Sequence, residues 1–396
     1  MKRSELVNTP LFLVFLSALI ALMPFAVDTY MPVIPTMADF FGVPVSAVNL
    51  TLSTYLIGAA LGQFFGGALS DHLGRKPVAL AGLLLFVCCS LLIIRADSIQ
   101  QIQALRFFQA LGGGFGTVIC MAQLRDIFPA EEVARRYAGV MMVVLVAPMV
   151  APMLGAVLMP LGWQSIFVML AIYSAVCLLI FIVAIPETRL GPRTLPTPAS
   201  LLQNYIDVIR HRVDGRLLAL RYTVFGALSS ALFMCYLTTA ASIYMRYFDR
   251  NEYEFSLMFG AGALSLMAGN RLVVRMMDRL TTKQILHYAN LVQMLVAGLL
   301  VVIMILDLES VWLVFALLLI QLAAGAAITP TVSGAFISFF DKLSGSAASV
   351  NTTLIILIGA SIGAVAAALS AISITPIFAV MLSAAIAARL VLLTIR

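Results

Sequence analysis

Long charge-free runs divided by short polar knots constrain this chain more than any other feature. Residues 48–69 and 78–94 contain no Lys, Arg, Asp or Glu, and the knot between them, residues 67–77, reads Gly-Ala-Leu-Ser-Asp-His-Leu-Gly-Arg-Lys-Pro. A hydrocarbon core about 30 Å thick needs about 20 apolar residues at 1.5 Å rise each. The two runs are therefore expected to be spanning helices, and the knot a tight hairpin turn at a membrane surface.

The pattern recurs along the chain. Apolar residues make up 62% and charged residues 11%, against about 45–50% and about 25% in soluble domains. Turn signals give twelve expected spans, near 11–38, 47–69, 78–95, 99–124, 134–159, 163–185, 217–245, 255–276, 283–306, 311–337, 345–370 and 374–394. Between the sixth and seventh, residues 187–216 carry Pro192, Pro196, Pro198 and several Arg. This stretch reads as a cytoplasmic linker between an N-terminal half, 1–186, and a C-terminal half, 217–396, with an amphipathic piece around 201–209. The fold class expected is all-α, with twelve transmembrane helices in two six-helix halves.

The net charge of +6 could suggest a polyanionic partner, but placement decides otherwise. Arg75, Lys76, Arg125, Arg135, Arg136, Arg189, Arg193, Arg275, Arg279, Lys283 and their like fall at one alternating set of helix ends; the other set holds Arg95, Arg246 and Arg250 among acids. That asymmetry is the positive-inside rule. It puts both termini in the cytoplasm and excludes nucleic acid as the reason for the basic balance. The five cysteines all lie in apolar runs and read as small packing residues rather than a disulfide framework. His72, His211 and His287 do not cluster, and neither H-E-x-x-H nor G-x-S-x-G occurs, so an enzyme is not expected, nor a metal or other cofactor.

A charge at the bilayer centre costs about 2.5–3.5 kcal/mol on insertion scales and needs a reason. Asp28 in the first span and Arg106 in the fourth lie at similar depth, and Arg221 in the seventh lies close enough to the surface to snorkel. Asp28 is the candidate proton-binding carboxylate, and Arg106 could pair or alternate with it. Tyr30, Tyr55 and Gln109 in the first half, and Tyr236 and Gln321 in the second, are candidate lining residues of a mostly apolar cavity. Such a cavity suits lipophilic molecules better than sugars. Asp71, Arg75 and Asp126 form a second constellation of alternating sign, suited to a weak cytoplasmic latch. In the fifth span, Pro148 and Pro152 remove two ladder hydrogen bonds and bend the helix ahead of Gly155.

The knot resembles the loop signature of the major facilitator superfamily, G-x-L-S-D-x-x-G-R-K, in Gly67, Leu69, Ser70, Asp71, Gly74, Arg75 and Lys76. Asp28-Thr29-Tyr30-Met31-Pro32 resembles the helix-one D-x-Y-x-P signature of its bicyclomycin/chloramphenicol (Bcr/CflA) resistance branch. Leu105–Gly112 resembles that branch's R-F-x-Q-G-x-G signature, with Ala110 where Gly is usual. The double-proline fifth span resembles its antiporter motif, with Ala147 and Ala151 replacing glycines, and 345–349 resembles the small-residue run that opens helix eleven. The resemblance implies a drug:H+ antiporter that exports lipophilic compounds as protons enter, with Asp28 carrying the proton and Arg106 assisting. Its partners would be drug-like small molecules, protons and the lipid of a bacterial inner membrane, and a monomer is expected. A charge crossing 100 mV is worth about 2.3 kcal/mol, enough for a gradient of roughly fifty-fold per proton, and no Walker sequence appears. The alternative is a proton-coupled transporter of a metabolite on the same fold.

Overall fold

The computed structural model describes residues 10–144, 146–189, 217–277, 279–337, 339–340 and 344–395. The greater part of the expected linker, 190–216, lies outside the described residues, as does the amphipathic piece at 201–209. The described residues form helices α1 (Pro10–Asp28), α2 (Ile34–Phe41), α3 (Val45–Leu73), α4 (Arg75–Ile93), α5 (Ile99–Ile127), α6 (Ala130–Val144), α7 (Ala147–Leu158) and α8 (Gln164–Val183). They continue with α9 (Leu218–Ala241), α10 (Glu252–Met277), α11 (Thr282–Ile305), α12 (Val311–Ile337), α13 (Ser344–Leu369) and α14 (Thr375–Leu393). Eleven stretches are long and apolar enough to cross a membrane, with α1 and α2 counted as one. The twelfth span is α6 followed by α7, each too short to cross alone.

Two expected spans are broken rather than continuous, and proline is the reason in both. In the first, Pro32 has no N–H for the carbonyl of Asp28 and its ring crowds that carbonyl. α1 accordingly stops at Asp28, a turn covers Thr29 and Tyr30, and one 3-10 turn at Met31–Val33 leads into α2. In the fifth, Pro148 opens α7 at its second position, where a missing N–H costs least. Pro148 thus starts a new helix instead of bending an old one, while Pro152 lies inside α7.

The hairpin knot is also tighter than its sequence suggests. α3 runs on through Gly67, Ser70 and Asp71 to Leu73, and α4 begins at Arg75. The whole reversal falls on Gly74, whose φ of 100° is open to glycine and strained for any L side chain. Gly67, expected in the turn, is a helical residue whose carbonyl accepts from the Ser70 hydroxyl.

The described chain divides into two compact units, residues 10–41 with 54–189 and residues 42–53 with 217–395. Within the first, α4 packs along α5 and α8, and α1 lies against α5, α6, α7 and α8. Within the second, α11 packs along α12 and α14, and α9 lies against α12, α13 and α14. Arg221, near the start of α9, donates to the carbonyl of Thr394 at 2.6 Å and ties down the end of α14.

Candidate functional site

In the first unit the turn that breaks the first span is held from below by α7. A Cβ on Gly155 would collide with the backbone carbonyl of Thr29, so α7 approaches the turn at a distance only glycine permits. Gly58 and Gly62 likewise seat α3 on the backbone of Phe107 and Leu111 in α5. These close crossings carry Tyr55, one turn before Gly58, and Arg106, beside Phe107, into the same buried region.

Arg106 is fully buried. Its guanidinium lies 4.6 Å from the centre of the Tyr30 ring, 4.2 Å from that of Tyr55 and 5.8 Å from that of Phe167. Nη1 donates to Gln109 Oε1 at 3.1 Å, one turn on in α5, and Gln109 Nε2 donates to Ser90 Oγ at 2.7 Å. Ser90 in turn donates to the Phe86 carbonyl at 2.7 Å, which completes the chain. Nε and Nη2 of Arg106 have no protein partner among the described residues. The aromatic faces stabilise the cation by quadrupole attraction, about 2 kcal/mol each when desolvated.

Asp28, the last residue of α1, is also buried. Among the described residues no ion pair includes it, and Arg106 is paired with no acid. Arg106 is faced instead by the Tyr55 ring. The Tyr55 hydroxyl makes only a long bond, 3.4 Å, to the Met23 carbonyl, with the Met23 sulfur at 3.3 Å.

Of the expected cavity residues, Tyr30, Tyr55 and Gln109 therefore come together as the immediate surroundings of Arg106. Tyr236 and Gln321 belong to the second unit. Tyr236 stacks on Phe259 with ring centres 5.8 Å apart and is hydrogen-bonded to Tyr244, which packs in turn on Phe255 and Phe315. Gln321 is buried with neither amide atom hydrogen-bonded to a described residue.

The second constellation also assembles within the first unit. Arg75 donates through Nη1 to Asp71 Oδ1 at 2.6 Å and to Ser70 Oγ at 2.7 Å, and through Nε to Asp126 Oδ2 at 3.0 Å. Asp126 accepts as well from the Thr188 hydroxyl at 3.1 Å. Glu187, which sequence reasoning left in the linker, accepts from the backbone N–H groups of Arg75, Lys76, Thr188 and Arg189. A carboxylate there satisfies the orphan donors and the positive end of α4. Lys76 Nζ donates to the carbonyls of Ile182 and Ile185 at the end of α8. Phe167 and Ser90 also escaped sequence reasoning. Each sits in a featureless apolar run, so only their neighbours in space reveal them.

A profile described as Major Facilitator Superfamily matches residues 14–364. The chain belongs to that superfamily. A Bicyclomycin resistance protein homolog of Haemophilus influenzae is 26% identical over 76% of this chain and 75% of its own. A Chloramphenicol resistance protein of Pseudomonas aeruginosa is 28% identical over 82% of this chain and 75% of its own. Among solved structures, that of a POT peptide transporter superposes with a TM-score of 0.77 over 100% of this chain and 98% of that one, at 14% identity. The last likeness is one of fold alone. The first two agree with the Bcr/CflA signatures carried by Asp28–Pro32 and Leu105–Gly112, and place this superfamily member among relatives named for antibiotic resistance.

Proposed function

We propose that this transporter is a drug:H+ antiporter that exports lipophilic, drug-like compounds by alternating access, with Asp28 as proton carrier. One observation carries the reading: Asp28 and Arg106 are both buried and opposite in charge, yet Asp28 forms no ion pair among the described residues while Arg106 lies over the Tyr30 and Tyr55 rings. A neutral Asp28 is tolerated in that place. An ionised one is an unpaired buried charge, at a cost of several kcal/mol, unless water or a cation reaches it. Arg106 holds two unengaged donors, Nε and Nη2, that suit such a carboxylate. The turn at Thr29 and Tyr30, where Pro32 leaves only 3-10 bonds from Val33 to Tyr30 and from Ile34 to Met31, supplies the slack for the approach.

Substrate and proton compete for Asp28. A lipophilic molecule seated near Tyr30, Tyr55 and Phe167 expels water, and its arrival is coupled to proton release to the cavity then open. The names of the two resistance relatives support this substrate class, as do the aromatic surroundings. Asp71, Arg75 and Asp126 act as a releasable inner latch, whose exposed Asp71 arm contributes only about 0–1 kcal/mol. The distribution of Arg and Lys supports a bacterial inner-membrane setting with both termini cytoplasmic.

The test is purified protein in liposomes with a pH dye inside, challenged with drugs under an imposed pH gradient. Drug-evoked proton movement is expected in the wild type and none in Asp28→Asn. Proton movement unchanged in that variant would remove Asp28 from its role, and drug movement without proton flux would remove antiport itself.

A further inference from the structure

A polar pair of another kind lies in the second unit, far along the chain from the residues above. Arg389 sits one turn before the end of α14, His287 about one and a half turns into α11, and these helices pack side by side. Arg389 Nη1 lies 3.0 Å from His287 Nδ1, and Nη2 lies 3.0 Å from Nε2. A neutral imidazole offers one lone pair and an imidazolium none, against the five N–H donors of a guanidinium. The contact therefore fixes the plane of Arg389 without neutralising its charge. Among the described residues no acid forms an ion pair with it.

The next residue along each helix faces outward. Tyr288 is 49% exposed and Leu390 62% exposed, and on a spanning protein such surface meets acyl chains. Further cations stand nearby at the same end of the helices. Lys283 precedes His287 by one turn of α11, and Arg275 and Arg279 line a groove of about 560 Å³ with Met276 and Leu280. Met276 and Leu280 pack into the same apolar cluster as Ile285, Leu286 and Leu392, so groove and pair share one corner of the unit. Residues 271–283 contain four cations and one acid.

We propose that this corner binds an anionic phospholipid, with Arg389, oriented by His287, taking the phosphate and the Arg275–Arg279 groove taking the rest of the headgroup charge. Guanidinium groups suit phosphate bidentately, and basic pockets between spans at the inner face favour anionic headgroups. Free phosphate shares the first half of this chemistry. The apolar flank of Tyr288 and Leu390 favours a molecule that brings its own acyl chains.

Delipidated full-length protein in detergent would be titrated with phosphatidylglycerol, phosphatidylcholine or inorganic phosphate, read by native mass spectrometry and thermal unfolding. Phosphatidylglycerol is expected to bind and stabilise in preference to phosphatidylcholine. Arg389→Gln should weaken it about fivefold, as expected for one cation near a surface, with Arg389→Lys intermediate. The double variant Arg275→Gln/Arg279→Gln should weaken it further, and it decides the matter if Arg389→Gln does not fold. Equal binding of the two lipids, or full preference retained in folded Arg389→Gln, would overturn the proposal. Equal stabilisation by millimolar inorganic phosphate would reassign the site to a soluble anion and overturn the lipid.

Discussion

Arg106 shows how a residue that sequence marks as anomalous becomes tolerable. Burying a guanidinium costs several kcal/mol, and here two tyrosine faces, a phenylalanine and one amide offset part of it. The ring of Tyr55, more than its hydroxyl, does this, because the hydroxyl bond to Met23 is long. Tyr55→Phe should therefore change stability by less than about 1 kcal/mol, whereas Tyr55→Ala should cost about 3–5 kcal/mol as a core truncation. Thermal unfolding in detergent would separate the two; a Phe variant as weak as the Ala variant would assign the role to the hydroxyl. Asp28 and Arg106 stood out in sequence as charges in oil. Phe167 and Ser90 did not, because an aromatic and a serine in an apolar run have no anomaly to betray them.

At the scale of elements, proline and glycine divide the work. Prolines end α1 early and split the fifth span, and Gly155 lets α7 press on the turn so formed. Prolines can be read from a sequence, but whether they bend a helix or break it depends on what packs there, which is why both spans were expected to be continuous. The seat of Gly155 on Thr29 admits no Cβ without displacement, and overpacking of this kind costs about 1–3 kcal/mol. Gly155→Ala should insert in the membrane at normal levels yet export several-fold less drug per molecule, measured as resistance normalised to protein amount. Undiminished export would mean that the turn and α7 need not stay in contact. Glu187 gives the complementary lesson: its partners are backbone N–H groups at the start of α4, and no pattern of side chains announces a capping carboxylate more than a hundred residues away.

For the whole molecule, the two units repeat one packing pattern. The third span pairs with the fourth and sixth in one unit, as the ninth pairs with the tenth and twelfth in the other. The counterpart of the Gly74 turn keeps basic residues and one Asp in sequence but not the G-x-L-S-D spacing. α11 is instead opened by a capping box between Thr281 and Gln284, so the two units reach one packing pattern by different local chemistry. Charge distribution adds a prediction at this scale. In a cysteine-free background, Lys283→Cys should react with an impermeant maleimide only in inverted vesicles, and Asp307→Cys in intact cells. The reverse pattern would invert the topology.

Hydropathy and charge placement alone determined that the chain carries twelve spans, which helix ends hold the basic residues, and which two charges are out of place, because a bilayer imposes length, polarity and sign on every segment independently of its neighbours. Only the tertiary structure decided that Arg106 lies against the Tyr30 and Tyr55 rings rather than in an ion pair, that Pro148 breaks its span, and that Glu187 caps α4. Those outcomes depend on which backbones approach closely enough to touch, and a close approach is settled by two segments together, never by one.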